Sequence, residues 1–192
     1  MFKKIIMNRR EAVQYISLLI GGTLVGSNVF ISGCKSNTGV STTFSDDDVA
    51  MLDEISDTIL PATKTPGAKD AKTGQFMALM VNDCYEEKDQ KVFHEGLGKI
   101  NEFSKKNYQD TFMKISQGQR HDLLVKLDKE QKDYMQNKKK EEPSHYFRMM
   151  KELTLLGYFT SEIGCKQAMR YVERPGTYDG NLDYKKGDKA FA

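Results

Sequence analysis

The sequence has few of the side chains from which reaction centres are built. It contains only three histidines and three cysteines in 192 residues. His94, His121 and His145 lie on three different predicted elements, and none has metal-ligand spacing to another histidine, cysteine or glutamate. The sequence also lacks a Cys-x-x-Cys-His haem motif, a glycine-rich phosphate or dinucleotide loop, and a nucleophile elbow. We therefore expect no catalytic, cofactor-binding or metal-binding residue on this chain.

Carboxylates on the first predicted helix are the remaining candidates for acid–base chemistry. Asp53, Glu54 and Asp57 fall on or near the polar face of that helix. Charges in this position are usually solvated, so we interpret them as surface charges of the helix. The histidines are interpreted in the same way, as surface or helix-packing residues.

The N-terminus has the features of an export signal that ends at a lipid attachment site. Arg9 and Arg10 precede a largely apolar run over residues 12–30, which closes on small residues before Cys34. A positive start, an apolar centre and small residues before a cysteine make up a bacterial lipoprotein signal peptide. We expect a signal peptide over residues 1–33, a lipid on Cys34, and a lipid-anchored, periplasm-facing position in the cell envelope.

The paired arginines bear on the export route. Twin-arginine signals direct proteins that cross the membrane already folded, often with a bound cofactor or an attached partner. The usual apolar residue soon after the arginines is replaced here by Glu11-Ala12-Val13, so an ordinary secretory lipoprotein signal is the alternative. An uncleaved membrane anchor is a third interpretation, since a span needs about 20 apolar residues, but glycines and polar residues dilute the run.

Removal of the signal changes the charge balance of the chain. The signal carries four of the 29 basic and one of the 27 acidic side chains, so residues 34–192 keep 25 basic and 26 acidic groups. The net charge of +2 of the whole chain therefore belongs to the signal. No basic surface suited to nucleic acid is expected on the rest.

Two cysteines remain after Cys34 is assigned to lipid. In an oxidising compartment, Cys84 and Cys165 either pair with each other or supply a bridge to a partner. The third interpretation is two small buried side chains. The sequence leaves these alternatives open, because an internal disulfide between two distant helices needs a specific geometry.

Hydrophobic spacing predicts an all-α domain over residues 46–173. Ser45 followed by three aspartates predicts a helix start, and apolar residues at helical spacing continue to Leu60, where Pro61 ends the helix. Further helices are expected through residues 76–84, over 88–106, over 117–136 and from Ser144 onward. We expect a single compact bundle of about five to six helices. The second helix is expected at its centre, because it is apolar on most sides.

Two segments without helical spacing flank this domain. Residues 34–45 are rich in serine, threonine, asparagine and glycine, and we expect a flexible tether next to the lipid. Residues 174–192 form an extended, turn-rich C-terminal tail that contains tyrosines and Phe191. Such side chains are favoured at interfaces, so we predict that the tail docks either on its own domain or on a partner.

Several short segments follow one another in a characteristic order from residue 46 to residue 192. They are Asp57-Thr58-Ile59-Leu60-Pro61-Ala62-Thr63, Thr65-Pro66-Gly67-Ala68, Phe76-Met77 leading to Asp83-Cys84-Tyr85, Leu155-Leu156-Gly157-Tyr158-Phe159-Thr160-Ser161-Glu162, Gly164-Cys165, Arg170-Tyr171-Val172-Glu173, Pro175-Gly176 and Tyr178-Asp179-Gly180. In this order they resemble the gluconate 2-dehydrogenase subunit 3 family, the small subunits of membrane-associated flavin sugar dehydrogenases.

The resemblance implies an accessory chain of an oxidoreductase complex. Its implied partner is a large dehydrogenase of the glucose-methanol-choline (GMC) class, which holds FAD and oxidises a sugar or sugar acid. A cytochrome c subunit often takes the electrons in such complexes. The small subunit is expected to bind the large one, to export it as a folded complex and to tether it to the membrane. The alternative is a free-standing envelope lipoprotein that binds a small ligand or a cell-envelope partner.

The resemblance also implies a candidate partner interface where the last helix passes into the tail. Its residues are Tyr158, Thr160, Glu162, Arg170, Tyr171, Pro175, Gly176 and Tyr178. The first three lie in the matched helix and either pack the core or face the flavoprotein. Pro175 and Gly176 are expected to aim the tail along the partner, because proline sets one backbone angle and glycine permits the next turn. Cys84 and Cys165 are candidates for an internal or an intersubunit bridge.

Overall fold

The observed helices begin and end close to the capping residues and helix-breaking residues of the sequence. A computed structural model describes residues 43–174, 176–177 and 179–192. Its elements are α1 (Asp46–Ile59), α2 (Thr73–Cys84), α3 (Glu87–Tyr108), α4 (Gln117–Asn137), α5 (Tyr146–Thr160) and a π-helix (Gly164–Ala168). These described residues contain no strand, so the predicted all-α bundle of five to six helices is confirmed. The predicted signal peptide and most of the predicted tether lie outside the described residues.

Two of the helices begin with a complete capping box. At α1, the Ser45 Oγ accepts from the Asp48 backbone N–H at 3.2 Å, and the Asp48 carboxylate accepts from the Ser45 N–H at 3.0 Å. Ser116 and Gln119 repeat this pair at α4. Each box satisfies backbone donors that a helix start leaves unpaired, and loss of such a cap costs about 0.5–2 kcal/mol. The helix start predicted at Ser45 is confirmed.

Helix α5 is the centre of the bundle. It contacts each of the other four α-helices. Its inward side chains Phe147, Met150 and Leu153 are at most 3% exposed. The expectation that the second helix is central is wrong, since α2 leaves Leu79 59% exposed. Helix α2 has apolar side chains on most of its faces, but only α1, α3 and α5 pack against it. Part of its apolar surface is therefore left exposed.

The α1–α2 loop (residues 60–72) has no regular structure; Gly67 and Ala68 at its centre are buried, and its other residues are exposed or partly buried. Ala68 is completely buried, and its N–H donates to the Leu60 carbonyl at 2.9 Å. The Thr73 hydroxyl donates to the Ala68 carbonyl at 3.0 Å, and the Gly67 N–H donates to the Asp70 carboxylate at 2.9 Å. The buried backbone groups around Gly67 and Ala68 thus find partners inside the protein, as buried polar groups require.

Candidate partner interface

The outward face of α5 changes character along the helix. In the first half, Arg148 and Glu152 form an ion pair across one turn at 2.5 Å. In the second half the outward side chains are Leu155, Leu156 and Phe159, which are 38–47% exposed. Single exposed apolar side chains are normal, but a group of them on one face marks a contact surface. The three residues are called the α5 outer face below.

Tyr158 lies in the same segment but belongs to the core. It is only 4% exposed, and its hydroxyl donates to the Pro66 carbonyl at 2.7 Å. This hydrogen bond joins α5 to the α1–α2 loop. Of the two alternatives that the sequence left open for Tyr158, core packing is the one found in the structure.

Thr160 and Glu162 lie at the surface beyond the α5 outer face. The Thr160 hydroxyl donates to the Leu156 carbonyl at 2.7 Å, one turn back in the helix. The Glu162 carboxylate accepts from the Lys166 ammonium at 2.7 Å, and this hydrogen bond lowers the pKa of Glu162. Both side chains are exposed and are therefore accessible to a partner.

The π-helix folds back onto the end of α5. The Gly164 N–H donates to the Ser161 hydroxyl at 3.0 Å. A Cβ on Gly164 would lie 1.9 Å from the Tyr158 carbonyl oxygen, so only glycine fits at this turn. The Cys165 Sγ lies 3.1 Å from the Phe159 carbonyl. The turn therefore places the π-helix against the end of α5.

The last residues of the chain return to the end of the π-helix. The Arg170 N–H donates to the Ala190 carbonyl at 2.7 Å, and the Ala192 N–H donates to the Arg170 carbonyl at 3.1 Å. The Arg170 guanidinium lies 4.7 Å from the centre of the Phe191 ring. We call these contacts the C-terminal clasp. The prediction that the tail docks on its own domain is confirmed for its last three residues.

The clasp closes the ends of a segment that we call the C-terminal arm (residues 171–189). Among its described residues only Val172 is partly buried, and Tyr184 is 76% exposed. Gly176 has a φ of +70°, a conformation that glycine adopts without strain and that fits the expected turn. Arg170 lies in the clasp, and Tyr171 begins the arm. Pro175 and Tyr178 lie outside the described residues, as do Arg9, Arg10 and Cys34.

Cys84 and Cys165 are separate thiols in the structure. Cys84 is exposed at the end of α2, and Cys165 is partly buried in the π-helix. The internal disulfide, one of the alternatives left open by the sequence, is not formed. The bridge to a partner stays a prediction.

The carboxylate of Glu54 on α1 is not a solvated surface charge. Its side chain is 18% exposed and forms ion pairs with Lys69 of the α1–α2 loop and Arg120 of α4. Burial by itself raises the pKa of Glu54, but the hydrogen bonds from Lys69 and Arg120 outweigh it and lower the pKa. The interpretation as a surface charge is wrong for Glu54, because the loop and α4 fold over it.

The neighbouring Asp53 fastens α2 to α1. Its Oδ1 accepts from the Gly74 N–H at 2.7 Å, and burial raises the pKa of Asp53. Burial also raises the pKa of Asp57. Glu54 and Asp53 therefore hold α1, the loop, α2 and α4 together.

His145 caps the start of α5. Its Nδ1 accepts from the Phe147 N–H at 3.2 Å, and its Nε2 lies 3.7 Å from the Glu130 carboxylate. Burial lowers the pKa of His145, which favours the neutral ring that this cap requires. The ring lines a groove of about 550 Å³ between α3, α4 and the loop before α5, with Lys99 and Tyr146 also on its walls.

One comparison with known proteins gives a match. The model of the gluconate 2-dehydrogenase subunit 3 family matches residues 46–176, which is more than half of the chain. The chain belongs to the gluconate 2-dehydrogenase subunit 3 family. No curated protein and no solved structure matches it. The family name is that of a subunit and implies a dehydrogenase complex as the partner.

The family match covers the helical domain of this subunit 3 chain but only the first residues of the arm. It starts with the first residue of α1, includes all six helices and ends at Gly176. The rest of the arm and Ala190–Ala192 of the clasp lie beyond it. Within the described part of this subunit, no helix is long and apolar enough to cross a bilayer, and no three His, Cys, Asp or Glu side chains are grouped to hold a metal ion.

Proposed function

We propose that this subunit 3 chain is the noncatalytic small subunit that binds, exports and membrane-tethers a large FAD-dependent dehydrogenase of the GMC class. The large subunit would hold the FAD and oxidise a sugar or sugar acid, and a cytochrome c subunit would take the electrons. The observation that carries the proposal is the family match over the whole helical domain, residues 46–176.

The use of the polar side chains supports an accessory role. The carboxylate of Glu54 is paired with two cations, the Tyr158 hydroxyl is bonded to a loop carbonyl, and the His145 Nδ1 caps a helix. These polar groups are bonded to other parts of the chain and stabilise the fold. The α5 outer face and the arm, by contrast, offer apolar side chains without a role in the core. This division fits a protein that works by contact with another chain.

The N-terminal sequence supports the export part of the proposal. A flavoprotein that has already folded around FAD cannot pass as an unfolded chain, so it needs a route for folded proteins. Arg9 and Arg10 fit the twin-arginine route, and a lipid on Cys34 would hold the exported complex at the periplasmic side of a membrane.

The direct test is affinity purification of the lipoprotein from native membranes in a mild detergent. We expect a large chain to co-purify and to show a flavin absorbance spectrum. We also expect deletion of the small subunit to leave the large chain in the cytoplasm, and an Arg9→Lys/Arg10→Lys variant to do the same if export is twin-arginine. A small subunit that is isolated without any flavin-bearing chain contradicts the proposal.

The noncatalytic part has its own test. The purified small subunit alone should not reduce a dye acceptor when sugars or sugar acids are added, whereas the complex should. Sugar oxidation by the small subunit alone would show that the noncatalytic assignment is wrong.

The groove beside His145 favours a second function, that of a free-standing envelope lipoprotein that binds a small ligand. Lys99 and Lys106 of α3, Glu130 of α4 and Tyr146 line this space of about 550 Å³. Purification of the chain as a lone species with a bound small molecule would favour this function over that of a complex subunit.

A further inference from the structure

We propose that the groove beside His145 binds a sugar acid, a small ligand that carries one carboxylate and several hydroxyl groups. The groove lies between α3, α4 and the loop before α5. The inference goes beyond the proposed function, because it assigns a ligand site to the small subunit itself. The choice of a sugar acid among hydroxylated acids rests on the proposed function, in which the partner oxidises a sugar or sugar acid.

The first step is a pair of buried side chains whose polar atoms are left without a hydrogen bond. Tyr146 and His145 line the groove and are only 6% and 8% exposed. Among the described residues, the Tyr146 hydroxyl has no hydrogen-bond partner, and the His145 Nε2 approaches only Glu130, at 3.7 Å. Buried polar groups nearly always have a partner, so these two at the wall of a cavity indicate a place for a bound molecule.

The second step is the direction of the missing hydrogen bonds. The His145 Nδ1 accepts from the Phe147 N–H at 3.2 Å, so the neutral ring carries its proton on Nε2. Burial lowers the pKa of His145, which keeps the ring neutral at neutral pH. The groove therefore contains an N–H donor from His145 and a hydroxyl from Tyr146, and both can donate to an oxygen atom of a ligand.

The third step is a pair of ammonium groups on the α3 wall. Lys99 and Lys106 line the groove, and within the described part of the chain neither forms an ion pair with a carboxylate. The Lys99 Nζ lies 5.6 Å from the centre of the Tyr146 ring, so one small ligand can contact both side chains. An ammonium without a counter-ion attracts a negatively charged group. These lysines favour a ligand with a carboxylate.

The fourth step is the acidic part of the groove, which argues against a simple anion. Glu102 of α3 and Glu130 of α4 also line this space and balance the charge of the two lysines. An ionised carboxylate only accepts hydrogen bonds, so a ligand beside it needs hydroxyl donors. A ligand with a carboxylate and hydroxyl groups satisfies both the lysines and the glutamates, whereas an alkyl acid satisfies the lysines alone.

The fifth step is the aromatic wall of the groove. The rings of Tyr134, His145 and Tyr146 follow one another, with centres 5.5 Å and 4.3 Å apart. The Tyr134 hydroxyl donates to the Pro143 carbonyl at 3.1 Å, which holds the first ring in place. The face of an aromatic ring is partly negative and attracts the C–H groups of a sugar. The volume of about 550 Å³ suits such a ligand, since small-molecule sites measure about 300–1,000 Å³.

The test is isothermal titration calorimetry of the full small subunit, purified in mild detergent, with gluconate as the probe. Glucose carries hydroxyl groups without a carboxylate, and hexanoate carries a carboxylate without hydroxyl groups. Lys99→Met removes one ammonium, and Tyr146→Phe removes only the hydroxyl. Lys105→Met is the matched control, because Lys105 is an exposed lysine of α3 that does not line the groove. Circular dichroism confirms that each variant is helical.

We expect gluconate to bind wild type and Lys105→Met with the same affinity. Lys99→Met should weaken binding about tenfold, because a charge-assisted hydrogen bond is lost, and Tyr146→Phe should weaken it severalfold. Glucose and hexanoate should each bind wild type about tenfold more weakly than gluconate or worse, since each lacks one of the two kinds of group that the groove requires.

No binding of gluconate, or binding that Lys99→Met and Tyr146→Phe leave unchanged, would overturn the inference. The proposed function would then stand, because co-purification of a flavin-bearing chain does not depend on this groove. Equal affinity for hexanoate and gluconate would also overturn the inference, since the hydroxyl groups would have no role. A small subunit that binds gluconate but is isolated without a flavin-bearing chain would support the inference and contradict the proposed function.

Discussion

The α1–α2 loop and the C-terminal arm are both irregular segments, but only the loop has a buried centre that is bonded to the helices. The centre of the loop is buried at Gly67 and Ala68, whereas residues 61–64 at its start are exposed. The arm is fixed only at its ends by the clasp, and nearly all of its described residues are exposed. Both contain proline and glycine, so local composition does not distinguish them.

The two segments differ in the contacts that they receive from side chains of other elements. Side chains from other elements reach the loop, including Tyr158, which bonds the Pro66 carbonyl, and Glu54, which pairs with Lys69. No comparable contact to the described part of the arm occurs between Tyr171 and Asp188. An irregular segment becomes part of the fold when its backbone groups are satisfied internally.

The largest effect should come from removal of the side chain that fixes the loop. Tyr158→Ala removes a buried ring and the hydrogen bond to Pro66, and we expect a loss of about 3–5 kcal/mol in the free energy of unfolding. Tyr158→Phe is the control, because it removes only the hydrogen bond and should cost about 1 kcal/mol. Urea denaturation measures both. Equal stability of Tyr158→Ala and wild type would contradict the assignment of Tyr158 to the core.

A smaller loss is expected from Gly67→Ala inside the loop. The added Cβ would lie 2.7 Å from the Ala62 backbone nitrogen and 2.9 Å from the Asp57 Oδ1. Crowding of this kind costs about 1–3 kcal/mol. Gly98→Ala on α3 is the matched control, since a Cβ there would meet nothing within 4 Å. A destabilised Gly98→Ala with an unaffected Gly67→Ala would reverse the expected order.

The free energy of unfolding is expected to depend on pH through His145, which caps the start of α5. Burial lowers the pKa of His145, the nearby Lys99 acts in the same direction, and Glu130 opposes them. The unfolded chain binds a proton on this histidine below pH of about 6.5. Because the folded chain binds it only at lower pH, the free energy of unfolding should fall as pH drops below about 6.5 and level off below the folded pKa.

His145→Asn isolates this contribution. Asparagine is a good N-cap that does not titrate, so the variant should keep the helix start and lose this part of the pH dependence. Urea titrations at pH 7.5 and 5.5 measure the difference between wild type and variant. The same slope in both proteins would show that His145 does not carry the effect.

The smallest effect is expected from the arm. Tyr184→Ala and Leu182→Ser change side chains that are more than half exposed, so the free energy of unfolding should stay within about 0.5 kcal/mol of wild type. Thermal unfolding of the small subunit alone checks this. A loss as large as that of Gly67→Ala would mean that the arm belongs to the fold in the way that the loop does.

The sequence was sufficient for features that depend on neighbours along the chain. Ser45 and the following aspartates predicted the start of α1, and hydrophobic spacing predicted four further helices close to their observed positions. It placed α2 at the centre wrongly, because spacing shows which side chains are apolar but not how many helices surround them. That information depends on the packing around α5.

Contacts between distant residues were the part that the sequence could not supply. Glu54 and Arg120 are paired across two helices, and the Tyr158 hydroxyl reaches Pro66. Arg170 meets Phe191 only because the chain turns back through the arm. The segments Asp57–Thr63 and Thr65–Ala68 were a usable signal, since they contain much of the loop that these contacts hold. Their role became visible only with the tertiary structure.

Hydrogen exchange of the small subunit, alone and in complex with the flavin-bearing large chain, tests the central claim most directly. We expect the amides of Gly67 and Ala68 in the α1–α2 loop to be protected in both states, and the amides of the arm and of the end of α5 to gain protection only in the complex. An arm that exchanges equally fast in both states, with new protection confined to α4, would contradict it.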